Sequence, residues 1–214
     1  MKWTARAATA LLGCTLACSA WAWGEQPLKI VVPAPPGGTM DIVARVVGQQ
    51  LSQDMGQPVV VENKPGAGGA IGIQAMLKAP ADGNTLVMAA SNVLAEVPLV
   101  LKVPYDPFKD VIPVGSFARS GLVLVTAADY PAKDFQGLLA HLKTRKGQAS
   151  FASYSPGTVS QYAGLILSDL AGLDLQHVGY PGSPPALANL MGGQVDVMFD
   201  GMLTSVPLIK SGKL

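Results

Sequence analysis

The sequence predicts an α/β fold made of two lobes of similar size. Short apolar strands alternate with amphipathic helices, the alternation breaks once near the middle of the chain, and it then resumes. The 214 residues include 24 glycines and 17 prolines, as expected of a chain that turns often. With 14% charged residues and a mean hydropathy of +0.34, the composition excludes intrinsic disorder.

The first 22 residues have the layout of a secretory signal peptide. Two basic residues precede an uncharged stretch, 7–18, and a small-x-small cleavage site at Ala20-Trp21-Ala22. The stretch is too short to span a bilayer, so we expect cleavage after Ala22 and export. Two alternatives remain open: a buried amino-terminal helix, and a lipoprotein signal with the lipid on Cys14.

Cleavage there would leave a chain without cysteine and with 13 basic and 14 acidic residues. Such a chain has no disulfide, no thiolate metal site and no cysteine nucleophile. A net charge of −1 gives no reason to expect nucleic acid or an anionic membrane as a partner. We therefore expect a soluble exported protein.

Strands and helices alternate in the first part of the mature chain. Leu28–Val32 is a continuous apolar run, and the apolar residues after Thr39 recur at spacings of three and four until Gly56. The predicted strands are 28–32, 59–61 and 85–90, and the predicted helices are 39–55 and 66–77. Units of this kind form a parallel sheet with right-handed crossovers.

The alternation stops at 92–113, and the proline-rich run 103–108 within it is predicted to be a connector. Extended segments at 114–117 and 122–126 are expected to cross between the lobes. The later elements are helices at 135–143, 160–171 and 184–191 and strands at 150–153, 175–178 and 195–199. We assign 23–115 to lobe one, 116–205 to lobe two and 206–214 to the start of a return toward lobe one.

Common catalytic and metal-binding motifs are missing from the sequence. His141 and His177 are far apart, and no carboxylate lies at ligand spacing beside either. The segment Gly66–Ile71 resembles a dinucleotide-binding loop, but Ile71 replaces the third glycine and the later acidic residue is missing. We expect no metal, no nucleotide and no other cofactor.

Three loops rich in Gly, Ser and Thr follow predicted strands, at 36–39, 91–92 and 155–160. The carboxyl ends of parallel strands form the usual ligand face of an open sheet. Free N–H groups at a helix start attract anions, and hydroxyl groups add donors. One such loop alone is equally well explained as a turn and helix cap. Several, divided between two lobes, predict a small anion held in a cleft.

Two aspartates lie close to these loops. Asp41 falls in the first turn of a predicted helix, where capping is favoured over ligand contact. Asp200 follows the predicted strand 195–199 at the same face of the sheet. Holding a water, holding a ligand amino group and fixing a loop are equal alternatives for Asp200.

Five motifs stand in order along the chain: Ile30–Asp41, Val59–Gly69, Tyr105–Pro107, Pro184–Leu187 and Met191–Asp200. Together they closely resemble the Bug family, the periplasmic solute-binding receptors of tripartite tricarboxylate transporters. The resemblance covers the whole mature chain. It implies a type II periplasmic-binding-protein fold, a role that is not enzymatic, and a monomer that delivers a small carboxylate to the transporter's membrane subunits.

The resemblance also implies how the ligand is bound. Main-chain N–H groups and bridging waters of the loops Gly37–Asp41 and Ser155–Val159 would hold one carboxylate, and a hinge would close the lobes. Ligand specificity would depend on Ser91, Asn92 and residues near Tyr180 and Asp200. The expected ligand-binding residues are Gly37, Gly38, Thr39, Asp41, Ser91, Asn92, Ser155, Gly157, Thr158, Tyr180 and Asp200.

Three departures from the family pattern affect these expectations. The second loop has Ser155, Pro156 and Gln161 where the family has more glycine and a histidine, and Pro181 stands where the family has a lysine. Family members also continue past Leu214, so this sequence is expected to lack the carboxyl-terminal part of lobe one.

The ligand is expected to be a di- or tricarboxylate, an amino acid or an aromatic acid. The alternatives are a remnant that binds nothing and an exported hydrolase that uses Ser155 or Ser160.

Overall fold

The computed structural model describes residues 26–214, which form two α/β lobes with a separate sheet in each. The two α/β lobes predicted from the sequence are confirmed. The predicted signal peptide at 1–22, including Cys14, lies outside the described residues. Within 26–214, no helix combines the length and the apolar character needed to cross a membrane.

The sheet of lobe one has three parallel strands: β1 (Leu28–Val32), β2 (Val59–Asn63) and β3 (Thr85–Val87), in the order β2-β1-β3. Its helices are α1 (Thr39–Met55), α2 (Ala70–Leu77), α3 (Asn92–Ala95) and α4 (Val97–Val100), and a 3₁₀ turn, Ala67–Gly69, precedes α2. β1 lies in the centre, and three of its residues are at most 2% exposed. A continuous apolar run therefore becomes the core strand, as parallel sheets require.

The sheet of lobe two contains β4 (Leu122–Val125), β5 (Ser150–Ser153), β6 (Gln176–Gly179) and β7 (Val197–Gly201), in the order β4-β7-β5-β6. β4 is antiparallel to β7, and the other pairs are parallel. The helices are α5 (Phe135–Thr144), α6 (Val159–Ala171), α7 (Ser183–Met191) and α8 (Met202–Lys210). Two apolar clusters, one containing Phe151 and Leu142 and the other Leu190 and Met198, form the core.

A buried ionic cluster fixes the start of β7. Asp196 is 6% exposed and accepts hydrogen bonds from the Tyr130 hydroxyl at 3.2 Å, the Ser150 N–H at 2.8 Å and the Arg145 guanidinium. Burial, together with the negative charge of Asp196, raises the pKa of Tyr130 to about 12. The Tyr130 hydroxyl therefore stays protonated and remains a donor at neutral pH.

Several predicted elements differ from the observed ones. No hydrogen-bonded strand forms at 114–117, and Val114 is 78% exposed there, so this predicted extended segment lies outside both sheets. β3 ends at Val87 instead of residue 90, because the Ala90 N–H faces the sulfur of Met40 rather than a neighbouring strand. β7 begins two residues later than predicted.

The segment 92–113, where the sequence shows no regular alternation, contains the short helices α3 and α4 before the predicted connector at 103–108. α8 follows β7 directly and runs through the expected boundary at residue 206. The residue ranges assigned to the lobes remain predictions.

Replacing Gly164 by alanine should destabilise lobe two. A Cβ at this position of α6 would lie 2.2 Å from the ring of Phe151, which is fully buried. Overpacking of this kind costs about 1–3 kcal/mol, which exceeds the roughly 1 kcal/mol that alanine gains as a helix former. Chemical denaturation should therefore show a lower midpoint for G164A.

The matched control is G121A, because a Cβ at Gly121 meets no atom within 4 Å. Its unfolding midpoint should stay at the wild-type value. Equal midpoints for G164A and the wild type would contradict the proposed close contact between α6 and β5.

Candidate functional site between the lobes

The first loop turns from β1 into α1 through a left-handed glycine. Gly37 has φ +77°, and its N–H donates to Oδ2 of Asp41 at 2.9 Å. The Gly38 N–H donates to the Pro35 carbonyl at 3.2 Å. Two N–H groups expected to bind the ligand are therefore already used inside the loop.

 Asp41 is 3% exposed, and its carboxylate receives four contacts. One comes from the Gly37 N–H, and the other three come from Nε of Arg45 at 3.0 Å, a terminal guanidinium nitrogen of Arg45 at 2.9 Å and Nδ2 of Asn63 at 2.9 Å. Burial acts to raise the pKa of Asp41, but the hydrogen bonds from Arg45, Gly37 and Asn63 and the charge of Arg45 hold it below its ordinary value. The carboxylate is therefore ionised and faces its own loop.

The second loop repeats this arrangement position by position. Gly157 has φ +79°, and its N–H donates to Oε1 of Gln161 at 2.8 Å. In both loops a Pro-Gly pair precedes the helix, and the side chain at the third helical position accepts from the glycine N–H. We call this contact, Gly37 with Asp41 and Gly157 with Gln161, the glycine clamp.

The helices that follow the clamps begin without a side-chain cap. α5 has one, because Asp134 accepts from the Gly137 N–H at 2.7 Å, but no side chain caps α1 or α6. In the described part of the chain, the first N–H groups of α1 and α6 have no hydrogen-bond acceptor. Unpaired N–H groups at a helix start, with the helix dipole behind them, favour an anion.

Both loops lie where the lobes meet. A Cβ at Gly201, the last residue of β7, would lie 2.7 Å from Oγ1 of Thr39 and 3.5 Å from the hydroxyl of Tyr154, which precedes the second loop. A Cβ at Gly182 would lie 2.5 Å from Cδ of Pro35, and one at Gly157 would lie 2.4 Å from a methyl group of Val100. The lobes therefore touch beside both helix starts.

Asp200 is fully buried at the end of β7. Its carboxylate accepts from the hydroxyls of Ser183 and Thr204, each at 2.6 Å, and from that of Ser205. Burial, with the charge and hydrogen bonding of Asp200, raises the pKa of Tyr154. Of the three alternatives raised by the sequence, these contacts favour the one in which Asp200 fixes loops, because hydroxyls of this chain surround it.

The other predicted ligand residues lie near the same boundary. Asn92 is buried and Ser91 is exposed at the start of α3, and the contact of Ala90 with Met40 brings this turn beside α1. The Tyr180 N–H donates to the Ser153 carbonyl, and its side chain packs against the core of lobe two. In the second loop, the Thr158 hydroxyl donates to the Ser155 carbonyl at 2.7 Å.

Three residues of the site were not assigned a role from the sequence: Asn63, Gln161 and His177. Asn63 joins the two ends of the first loop, because its amide donates to the Ala34 carbonyl at 3.0 Å as well as to Asp41. The equal spacing of Gly37 from Asp41 and of Gly157 from Gln161 is a signal that the sequence contains. His177 gives no such signal in the sequence. It lies beside Gln161 of α6 only because β6 pairs with β5, the strand that precedes α6.

Open cavities lie away from the paired loops. One of about 450 Å³ is lined by α1 and β2, and another of about 400 Å³ by α2 and residues 102–104. Neither includes a residue of the two loops. Among residues 26–214, no group of three or more His, Cys, Asp and Glu side chains is placed to hold a metal ion.

Solved structures with this fold define the class of protein. R. palustris Rpa4515, solved with adipate, matches at a TM-score of 0.86 and 29% identity over 89% of this chain and 64% of that one. MatC of Rhodopseudomonas palustris, solved with malate, matches at a TM-score of 0.77 and 31% identity over 87% and 64%. This chain therefore has the fold of the periplasmic solute-binding proteins.

The family follows from the sequence comparisons. Residues 43–214 match the model of the tripartite tricarboxylate transporter family receptor, so the chain belongs to that family, as its motifs indicate. It is 35% identical to protein BugT of Bordetella pertussis over 96% of this chain and 64% of the relative. The chain spans between 54% and 64% of the length of the first three curated relatives. The family consists of transport receptors and is not an enzyme family.

Replacing Asp41 by asparagine should weaken the first loop. The change removes the ionic contact with Arg45 and turns one acceptor into a donor that faces Asn63 or Gly37, at a cost of about 1–3 kcal/mol. Because the folded pKa lies below the ordinary value of 3.8, Asp41 stabilises the fold above that pH and loses this effect as the pH falls through its folded pKa. Urea denaturation should show D41N less stable at pH 7, with a smaller difference at pH 3.

The control is D54N on the same helix, where the exposed carboxylate accepts only from Gln50. Its stability should match the wild type at both pH values. A D41N protein as stable as the wild type at pH 7 would contradict the clamp of the first loop.

Proposed function

We propose that this protein is an exported receptor that captures a small carboxylate between its lobes for a tripartite tricarboxylate transporter. The observation that supports it most is the pair of glycine clamps, one in each lobe, each followed by an uncapped helix start. Main-chain N–H groups of Thr39 and Met40 in lobe one and of Val159 and Ser160 in lobe two would bind the carboxylate oxygens. Residues 1–22 would direct export.

The proposed binding mode needs no cationic side chain at the carboxylate. Arg45 is paired with Asp41 and stabilises the first loop from its own lobe. Partial positive charge from the dipoles of α1 and α6, which have 17 and 13 residues, would act on the ligand from both lobes. Binding would thus join the lobes through the ligand, in addition to their direct contacts.

The proposed ligand class is a dicarboxylate, because two structures with this fold were solved with adipate and malate. Asn92 and Tyr180 would contact the far end of such a ligand. An amino acid is the second candidate ligand, since one oxygen of Glu96, between α3 and α4, is buried without a partner in the described residues and would accept from an ammonium group.

The alternative of a hydrolase receives no support from the two serines named for it. The Ser160 side chain is buried, and its hydroxyl donates to the Phe199 carbonyl at 2.6 Å. His177 contacts Ser153 instead, and Ser153 is fully buried where no substrate reaches it. Within the described chain, neither Ser155 nor Ser160 has a histidine partner to act as a base.

The proposal is tested by thermal unfolding of the purified protein with and without millimolar malate, adipate, citrate and glutamate. A ligand at one hundred times its dissociation constant adds about 2.7 kcal/mol and raises the midpoint. We expect one acid to give a saturable increase. A cooperative transition that none of these acids moves would contradict the proposed function and favour the alternative of a remnant that binds nothing.

Replacing Gly201 by alanine should weaken ligand binding. Its φ of −69° suits alanine, so the main effect is a clash of the new Cβ with Thr39. This clash would hold the two lobes apart. Calorimetric titration should show affinity for the stabilising acid lower by about tenfold or more, equal to 1.4 kcal/mol. G121A is the control and should bind as the wild type does; unchanged binding by G201A would mean that contact at Gly201 is not part of closure.

A further inference from the structure

His177 lies behind the second loop and outside the residues proposed to touch the ligand. It is half-buried on β6, with its ring centroid 5.0 Å from that of Phe151. Nε2 lies 2.7 Å from Oγ of Ser153, and Nδ1 lies 3.3 Å from Nε2 of Gln161. The imidazole therefore contacts the side chain that clamps Gly157.

The hydrogen-bond donors along this chain of contacts define the tautomer of His177. A main-chain N–H can only donate, so the Gln161 atom facing Gly157 is the amide oxygen. The NH₂ group of Gln161 then faces Nδ1, which must accept. The Ser153 hydroxyl donates to the Ser155 carbonyl at 3.2 Å, so Ser153 accepts from the Nε2–H. Neutral His177 with its proton on Nε2 satisfies every one of these contacts.

Protonation of His177 breaks this arrangement. A proton on Nδ1 would face the NH₂ group of Gln161, placing two donors against each other. Rotating the amide would bring its oxygen to Nδ1 but would turn the NH₂ group toward the Gly157 N–H. The single amide oxygen of Gln161 faces Gly157 or Nδ1 in this geometry but not both, so charged His177 and clamped Gly157 exclude each other.

We propose that His177 is a positioning residue whose neutral Nε2–H tautomer keeps the second loop clamped, and that its protonation releases Gly157. The first loop has no equivalent switch near neutral pH, because its acceptor is the Asp41 carboxylate paired with Arg45. The two lobes would therefore respond differently to mild acid. This inference concerns the loop itself and is independent of the ligand.

The surroundings of His177 place its titration below neutral pH. Burial lowers the pKa of His177 from its usual 6.5. The groups that face the ring are Phe151 and Ser153 on β5 and Gln161 on α6, and none of these is charged. Neutral His177 is therefore the form present at pH 7.5, and release is expected only as the pH falls below 6.5.

The test uses amide hydrogen exchange and the ring nitrogen shifts of His177 in the full chain between pH 7.5 and 5. The exchange rate of Gly37, measured in the same sample, serves as the reference that corrects for the intrinsic pH dependence of exchange. We expect the Nε2–H tautomer at pH 7.5 and a fall of about tenfold in the protection of Gly157 relative to Gly37, with a midpoint equal to that of His177. An Nδ1–H tautomer, or protection of Gly157 that stays constant while His177 titrates, would overturn the proposal.

Two variants separate positioning from a general effect of acid. Q161E offers two acceptors, so Gly157 should remain protected when His177 is charged, and the His177 pKa should rise because an anion faces it. H141N changes the other histidine, which lies on α5 with its ring in edge contact with that of Tyr130, and should keep the wild-type response. Loss of Gly157 protection in Q161E at the wild-type midpoint would contradict the role of Gln161.

One consequence rests on the proposed function: the affinity for malate or adipate should fall with the same midpoint as Gly157 protection. If no acid binds at any pH while Gly157 and His177 still titrate together, the proposed function fails and the positioning role stands. If an acid binds with an affinity that does not change as His177 titrates, the released loop is not the one that holds the ligand.

Discussion

Two main-chain N–H groups, those of Gly37 and Gly157, are each held by a side chain four residues later, and the geometry of the site depends on these contacts. A left-handed glycine allows the sharp turn from strand to helix. The clamp then determines where the helix start points, so the following N–H groups remain free at the lobe boundary. Asp41 provides the acceptor as an ion and Gln161 as a neutral amide, which gives the two lobes different sensitivities to pH.

The buried carboxylate of Asp200 stabilises the elements that lie behind the two glycine clamps. Asp200 has no cation beside it among the described residues, and hydroxyl groups from the starts of α7 and α8 satisfy it instead. A buried carboxylate that lost these donors would be costly, so the starts of both helices are tied to the end of β7. Gly201 follows at once, and its lack of a side chain lets Thr39 of the other lobe approach.

Periodicity in the sequence was sufficient for the regular elements. The strands 28–32 and 150–153 and the helix 39–55 have the predicted bounds, because an apolar run or a helical repeat there is long and ends at clear turn residues. α3 and α4 have four residues each, too few to show a repeat, and were not predicted. The segment 114–117 has a strand-like composition but no neighbouring strand within the described chain to pair with.

Site residues were harder to interpret from the sequence because their side chains meet partners distant in the chain. The loops were identified from glycine and serine content, yet the involvement of Asn63 with Asp41 requires the pairing of β1 with β2. The same holds for His177 and Gln161, and for the hydroxyl groups around Asp200. The ligand-binding role of the predicted residues stays a prediction.

The most direct test of paired anion loops is a titration of the ¹⁵N-labelled protein with malate, followed by amide spectra. The account predicts that the N–H resonances of Thr39 in lobe one and Val159 in lobe two shift together and saturate at one ligand per chain. Shifts confined to one loop, or absent from both while the protein is folded, would contradict it.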